Sequence, residues 1–106
     1  MTAQFDVFKN IGANKKSVPF VVVVQTSQLS ASSRRVVVPL MDVSSYRTQA
    51  TTISPTFVIE GRQVMLNPLE IVSVPRTALK DHVTSLRSHE TEIINAIDAL
   101  ITRAYG

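Results

Sequence analysis

Two valine-rich runs, "PFVVVVQ" and "RRVVVPL", limit what this chain can fold into more than any other feature. Branching at Cβ restricts χ1 and suits a pleated, packed surface, so both runs predict strands. The first, from Phe20 to Val24, shows no polar alternation and predicts a strand buried on both faces. The second carries Pro39, which lacks a backbone N–H, and its regular pairing is expected to end there. Helical periodicity is confined to the last quarter of the sequence. Strands first and one helix last predict an α+β, mainly β domain: an antiparallel barrel with a C-terminal α-helix. With 106 residues and 44% hydrophobic content, residues 1–106 are expected to form a single domain with a packed core.

The remaining elements are read by period and punctuation. "AQFDVF" alternates Phe5 and Val7 with Gln4 and Asp6 and predicts a first strand. "KNIGANKKS" is a polar loop. Residues 26–33 form a Ser-rich connection in which Leu29 is the one large apolar residue. Residues 41–54 have no clean period and are expected to be loop with a short turn. "TFVIEGRQVML" predicts a hairpin turning at Glu60-Gly61, where glycine supplies positive φ. A last strand is placed within residues 70–79, and the helix is expected to start between residues 84 and 88 with Ser88 as N-cap. Glu90 and Glu92 put negative charge in its first turn, where the helix dipole favours it. Ile93, Ile97 and Leu100 mark a core-facing stripe. Ile94, Asp98, Ile101 and Tyr105 form an adjacent stripe that a helix covering one sheet does not need.

Chemistry is sparse. The absence of Cys excludes disulfides, thiolate catalysis and Cys-ligated zinc. His82 and His89 lack metal-ligand spacing and read as surface residues, and the isolated glycines build no phosphate-cradling loop. Ser32 and Ser33 lack the G-x-S-x-G context of a nucleophile elbow. No metal and no cofactor are expected. The net charge of +3 is scattered along the chain. Apolar runs fall short of the ~18–20 residues that span a bilayer. Asp6 and Lys9 interrupt the N-terminal stretch, which argues against a signal peptide, and a cytoplasmic protein is expected. One constellation invites chemistry: Arg34-Arg35 entering a strand beside a Ser-rich loop, since arginine with hydroxyls can hold phosphate. The other reading, a strand edge with solvated arginines, is favoured. The residues alone describe a non-enzymatic interaction domain.

Taken together, "FVVVVQTSQL", "RRVVVPL", "IVSVPRTAL" and "EIINAIDALI" occur in the order and spacing of the CcdB family, and the chain resembles that family over essentially its whole length. The resemblance implies an SH3-like β-barrel with a small extra sheet and a C-terminal helix, acting as a homodimer. It implies a toxin that binds the DNA gyrase A subunit and traps it on cleaved DNA. It also implies a CcdA-like antitoxin that removes the toxin, and no catalytic activity. Carried onto this chain, the gyrase-binding positions are Gln28 and Leu29 in the loop and Asp98, Ile101, Thr102, Arg103 and Ala104 at the helix end. Well-known members carry a Trp where this chain has Thr102, and Tyr105 is the candidate replacement aromatic. The antitoxin surface maps to the loop holding Asn10, Lys15 and Lys16. Two alternatives stay open: a MazF-like mRNA endoribonuclease using Arg34 and Arg35, and a homologue that binds antitoxin without poisoning gyrase.

Overall fold

The computed structural model describes residues 2–10, 12, 14–45 and 54–102. Its elements are β1 (Asp6–Lys9), β2 (Phe20–Val23), β3 (Arg34–Asp42), β4 (Thr56–Ile59), β5 (Arg62–Leu66), β6 (Val72–Pro75), β7 (His82–Ser85) and α1 (Glu90–Thr102). The seven strands make one antiparallel sheet in the order β4-β5-β3-β2-β1-β7, with β6 also paired to β3. The sheet curls into a half-barrel, and α1 closes its main core. This is the mainly β, α+β architecture expected from the valine runs and the late helix.

Strand β3 is the spine. Of its nine residues, Val37 to Leu40 pair with β2 on one edge. On the other edge Arg34 to Val37 pair with β6, and Leu40 to Asp42 pair with β5. The small extra sheet is therefore continuous with the rest, joined through this fork. Pro39 does not end the strand as expected. Facing pairs in an antiparallel ladder alternate between bonded and open. Val24 N–H donates to the Val36 carbonyl at 3.0 Å, so the Val21–Pro39 pair falls at an open position. The proline nitrogen then faces the other edge, at the gap where β3 exchanges β6 for β5. Its carbonyl still accepts from Asn67 N–H at 3.0 Å. The missing donor costs one ladder bond at a place where pairing changes hands anyway.

The valines divide by parity. Phe20, Val22, Val38 and Leu40 join Phe5, Val7, Phe57, Ile59, Val64, Leu66 and helix residues Ile93 and Ala96 in the main core. Val23 and Val37 point the other way and form a second cluster with Phe8. Both faces of β2 and β3 are thus covered, as the first valine run predicts for β2.

Several expectations are corrected. The first strand begins at Asp6, because Phe5 adopts a left-handed φ of 72° and turns the chain into the core. The strand placed in residues 70–79 shrinks to β6, and residues 82–85 are β7 rather than the start of the helix. β7 supplies the partner that the free edge of β1 requires, through Asp6↔Ser85, Val7↔Thr84 and Phe8↔His82. Ser88 is no N-cap: it lies inside a 3-10 turn, Arg87–His89, that precedes α1. Glu90 and Glu92 do occupy the first turn of α1. Ile93 is buried, but Ala96 and Ala99 complete the inner stripe while Ile97 is only partly covered. Ala96 sits within the main core, and Ala99 is buried beside it. The hairpin forms as expected, with φ of 52° at Glu60 and 76° at Gly61 closing the Ile59↔Arg62 pair in a type I′ turn. Of the residues expected to be loop, 41 and 42 belong to β3, 43–45 form a 3-10 turn, and 46–53 lie outside the described residues.

Asp42 fastens the far end of the spine. Its carboxylate accepts from the Ser44 hydroxyl and backbone N–H and from the Arg62 guanidinium, which also reaches the Lys16 carbonyl at 3.3 Å. The Ser44 hydroxyl foremost, then Arg62, hold the Asp42 pKa down from 3.8 to about 2. A carboxylate with a depressed folded-state pKa contributes stability above its unfolded value and loses it as pH falls through the folded value. Because the Arg62 side chain is 41% exposed, the contribution is about 1–2 kcal/mol. Asp42→Asn should therefore lower stability at pH 7 by that amount and flatten the acid limb between about pH 4 and 2, read by urea unfolding across that range.

Candidate functional site

The turn between β2 and β3 carries the odd apolar residue of the sequence, and its support is polar. A 3-10 turn, Ser27–Leu29, is capped by Thr26, whose Oγ1 accepts from Gln28 N–H at 3.3 Å. Gln25 straps the base. Its Nε2 donates to the carbonyls of Leu29 at 3.3 Å and Arg34 at 3.1 Å, and its Oε1 accepts from Val36 N–H at 3.0 Å. Leu29 cannot fold back while its carbonyl is held, and its side chain stands 56% exposed, with Gln28 exposed beside it.

Beneath the turn lies Arg35, only 4% exposed. This corrects the expectation of a solvated arginine. Its Nε donates to Thr2 Oγ1 at 2.7 Å, Nη1 to the carbonyls of Ser32 at 2.7 Å and Arg34 at 2.9 Å, and Nη2 to the Ser30 carbonyl at 2.9 Å. Arg35 thus gathers the carbonyls of Ser30, Ser32 and Arg34, sharing the last with Gln25. Arg34 is exposed but also engaged, donating to the Ser73 hydroxyl at 2.7 Å and carbonyl at 2.8 Å across the β3–β6 pair. The recurring residues of the sequence pattern acquire separate jobs: Gln25 and Arg35 shape the turn, while Arg34 and Ser73 lock β6. Sequence reasoning missed Gln25 as a positioning residue; the only available signal was its fixed place before the Ser-rich stretch.

The helix bears the second cluster. Ile94 is half-exposed, Asp98 is exposed and Ile101 is 65% exposed, so the adjacent stripe inferred from periodicity lies outside the core. Thr102 is the last residue of α1. Arg103, Ala104 and Tyr105 lie outside the described residues. α1 is supported by the 3-10 turns Pro68–Glu70 and Arg87–His89, whereas the Leu29 turn is fastened to β3 and Thr2. Each candidate element therefore has its own footing within the chain.

The loop between β1 and β2 separates its three candidates. Asn10 is a clasp: its Nδ2 donates to the Val18 carbonyl at 2.8 Å, its Oδ1 accepts from Gly12 N–H at 3.0 Å, and its backbone N–H reaches the Pro19 carbonyl at 2.9 Å. Lys15 and Lys16 project into solvent on the loop that Asn10 closes. Among the described residues no group of three or more His, Asp or Glu side chains is placed to hold a metal ion. No described helix is long and apolar enough to cross a membrane.

If Gln25 governs the turn, Gln25→Ala strands the Val36 N–H and removes one of the two donors to each of the Leu29 and Arg34 carbonyls. It should cost about 1–3 kcal/mol in denaturant unfolding. It should also speed amide exchange at Leu29, Ser30 and Ser32 while leaving α1 protected.

Comparison with known proteins agrees with this arrangement. The sequence model of the family described as CcdB protein matches residues 4–103, a span that takes in all seven strands. Among curated proteins none matches the chain. Coverage this broad, on a chain whose shared motif residues build the exposed turn and lock the fork of β3, means that the chain belongs to the CcdB family, the toxins of ccd toxin–antitoxin modules.

Proposed function

We propose that this chain is a toxin that binds the DNA gyrase A subunit and holds it on cleaved DNA, and that a CcdA-like antitoxin relieves it. The observation that supports this reading is the rigid presentation of Leu29 together with the uncovered apolar residues Ile94 and Ile101. Large apolar side chains held in water by an ordered scaffold mark partner surfaces. Gln28, Leu29, Asp98, Ile101, Thr102, Arg103, Ala104 and Tyr105 form the proposed gyrase contact, with Lys15 and Lys16 toward the antitoxin. Inhibition is by binding. An endoribonuclease would need free cationic donors, whereas Nε and Nη2 of Arg34 are directed at Ser73 and four of the five N–H groups of Arg35 at Thr2 and backbone carbonyls.

A purified gyrase A fragment provides the test. Leu29→Asp should weaken binding about tenfold or more, the range for an apolar anchor at a hot spot. Removal of residues 102–106 should abolish growth inhibition with an unchanged circular dichroism spectrum. A truncated chain that still traps cleaved DNA would remove the helix end from the site, and no binding by the intact chain would remove the reading itself.

The chain is further proposed to act as a homodimer. Leu69, 76% exposed, and the exposed Ile71 and Val72 border α1 through the Pro68–Glu70 turn, giving a patch suited to a second copy. Leu69→Asp combined with Val72→Asp should shift the sedimenting species from dimer to monomer, and no shift would place the interface elsewhere.

A further inference from the structure

A cavity of about 590 Å³ opens beneath the Leu29 turn, and its polar lining is made of guanidiniums and hydroxyls. Arg35 and Arg76 contribute charge, and Thr2, Ser27, Ser30 and Thr77 contribute hydroxyls. No Asp or Glu lines it. Among the described residues no carboxylate pairs with Arg35 or Arg76. A guanidinium buried to this degree with only neutral acceptors retains a positive field that carbonyls and a hydroxyl offset incompletely.

Two of the hydroxyls already accept one bond from the chain and keep their own hydrogen to give. Thr2 Oγ1 already accepts from Arg35 Nε at 2.7 Å, and Ser27 Oγ accepts from Gln4 N–H at 3.4 Å. Thr2 carries the influence of the buried cation to its hydroxyl, since a polarised donor donates more strongly. Exposed Arg76 adds a second, mobile guanidinium.

From this we infer that the cavity is a binding site for the terminal phosphate of a small phosphomonoester. Arg76, the four hydroxyls and the one Nη2 hydrogen of Arg35 that the turn leaves over offer more donors than a carboxylate can accept, whereas a phosphate presents three terminal oxygens and up to two charges. A terminal phosphate can enter beside a buried side chain, which a mid-chain phosphodiester cannot. Ala3 and Leu79 supply an apolar wall for the body of the ligand. The inference does not depend on gyrase binding, yet Ser27 and Ser30 flank Gln28 and Leu29. Occupancy would therefore fix the same turn from below.

The probe is phenyl phosphate, titrated into the full-length chain and followed by amide chemical shifts. Saturable shifts are expected at Thr2, Ser27, Ser30, Arg76 and Thr77, with inorganic phosphate binding more weakly. Arg76→Gln, an exposed change that should preserve the rest of the spectrum, should weaken phenyl phosphate about tenfold or more. Thr77→Val, at a second exposed position, should weaken it several-fold. Unchanged affinity in both variants would overturn the site. So would shifts spread over Lys15, Lys16 and Arg87, or equal binding of phenylacetate. Tighter binding of a single-stranded oligonucleotide lacking a terminal phosphate would overturn the choice of ligand.

Discussion

Everything in this fold is hung from β3. One nine-residue strand holds β2 along one edge and divides its other edge between β6 and β5. A strand of this kind must be buried on both faces and paired on both sides, and that explains its sequence: valines of both parities, with the prolyl nitrogen at the gap between partners. The two ends of the spine are then secured by charge. Arg35 gathers the carbonyls of the turn that enters it, and Asp42 anchors the exit through Ser44 and Arg62. The functional candidates occupy the periphery that this scheme leaves: the turn before β3, and the outer side of the helix that closes the core.

Local rules made part of this visible. The valine runs, the Glu60-Gly61 turn and the acidic first turn of α1 each depend on neighbours in sequence, and periodicity or composition is enough to read them. What escaped was decided by distant partners. Residues 82–85 are a strand because β1 offers an open edge, which is invisible from positions 82–85 alone. Pro39 was misjudged because its effect depends on which edge of β3 its nitrogen faces. Arg35 looked like a surface residue because burial of a guanidinium depends on carbonyls folded around it, and backbone carbonyls leave no mark in a sequence.

The candidate site was legible to a similar degree and for similar reasons. Leu29 stood out as apolar among serines, and the second helical stripe stood out by spacing; both are exposed. Gln25 and the roles of Arg34 with Ser73 were not readable, since their function is to hold backbone and neighbouring strands in place. Asn10, chosen from its loop, turned out to close that loop through Val18 and Gly12.

The alanines at positions 96 and 99 have a wider consequence. With Ile93 they confine the buried side of α1 to a narrow strip, and Ile94, Asp98 and Ile101 lie outside it. Adhesion to the body of the protein and contact with the outside are thereby encoded on different sides of one helix. Selection can rewrite the outer side, altering which target is recognised and how tightly, with little effect on whether the chain folds. A lineage built on such a helix can shift its specificity by small steps through forms that all remain folded.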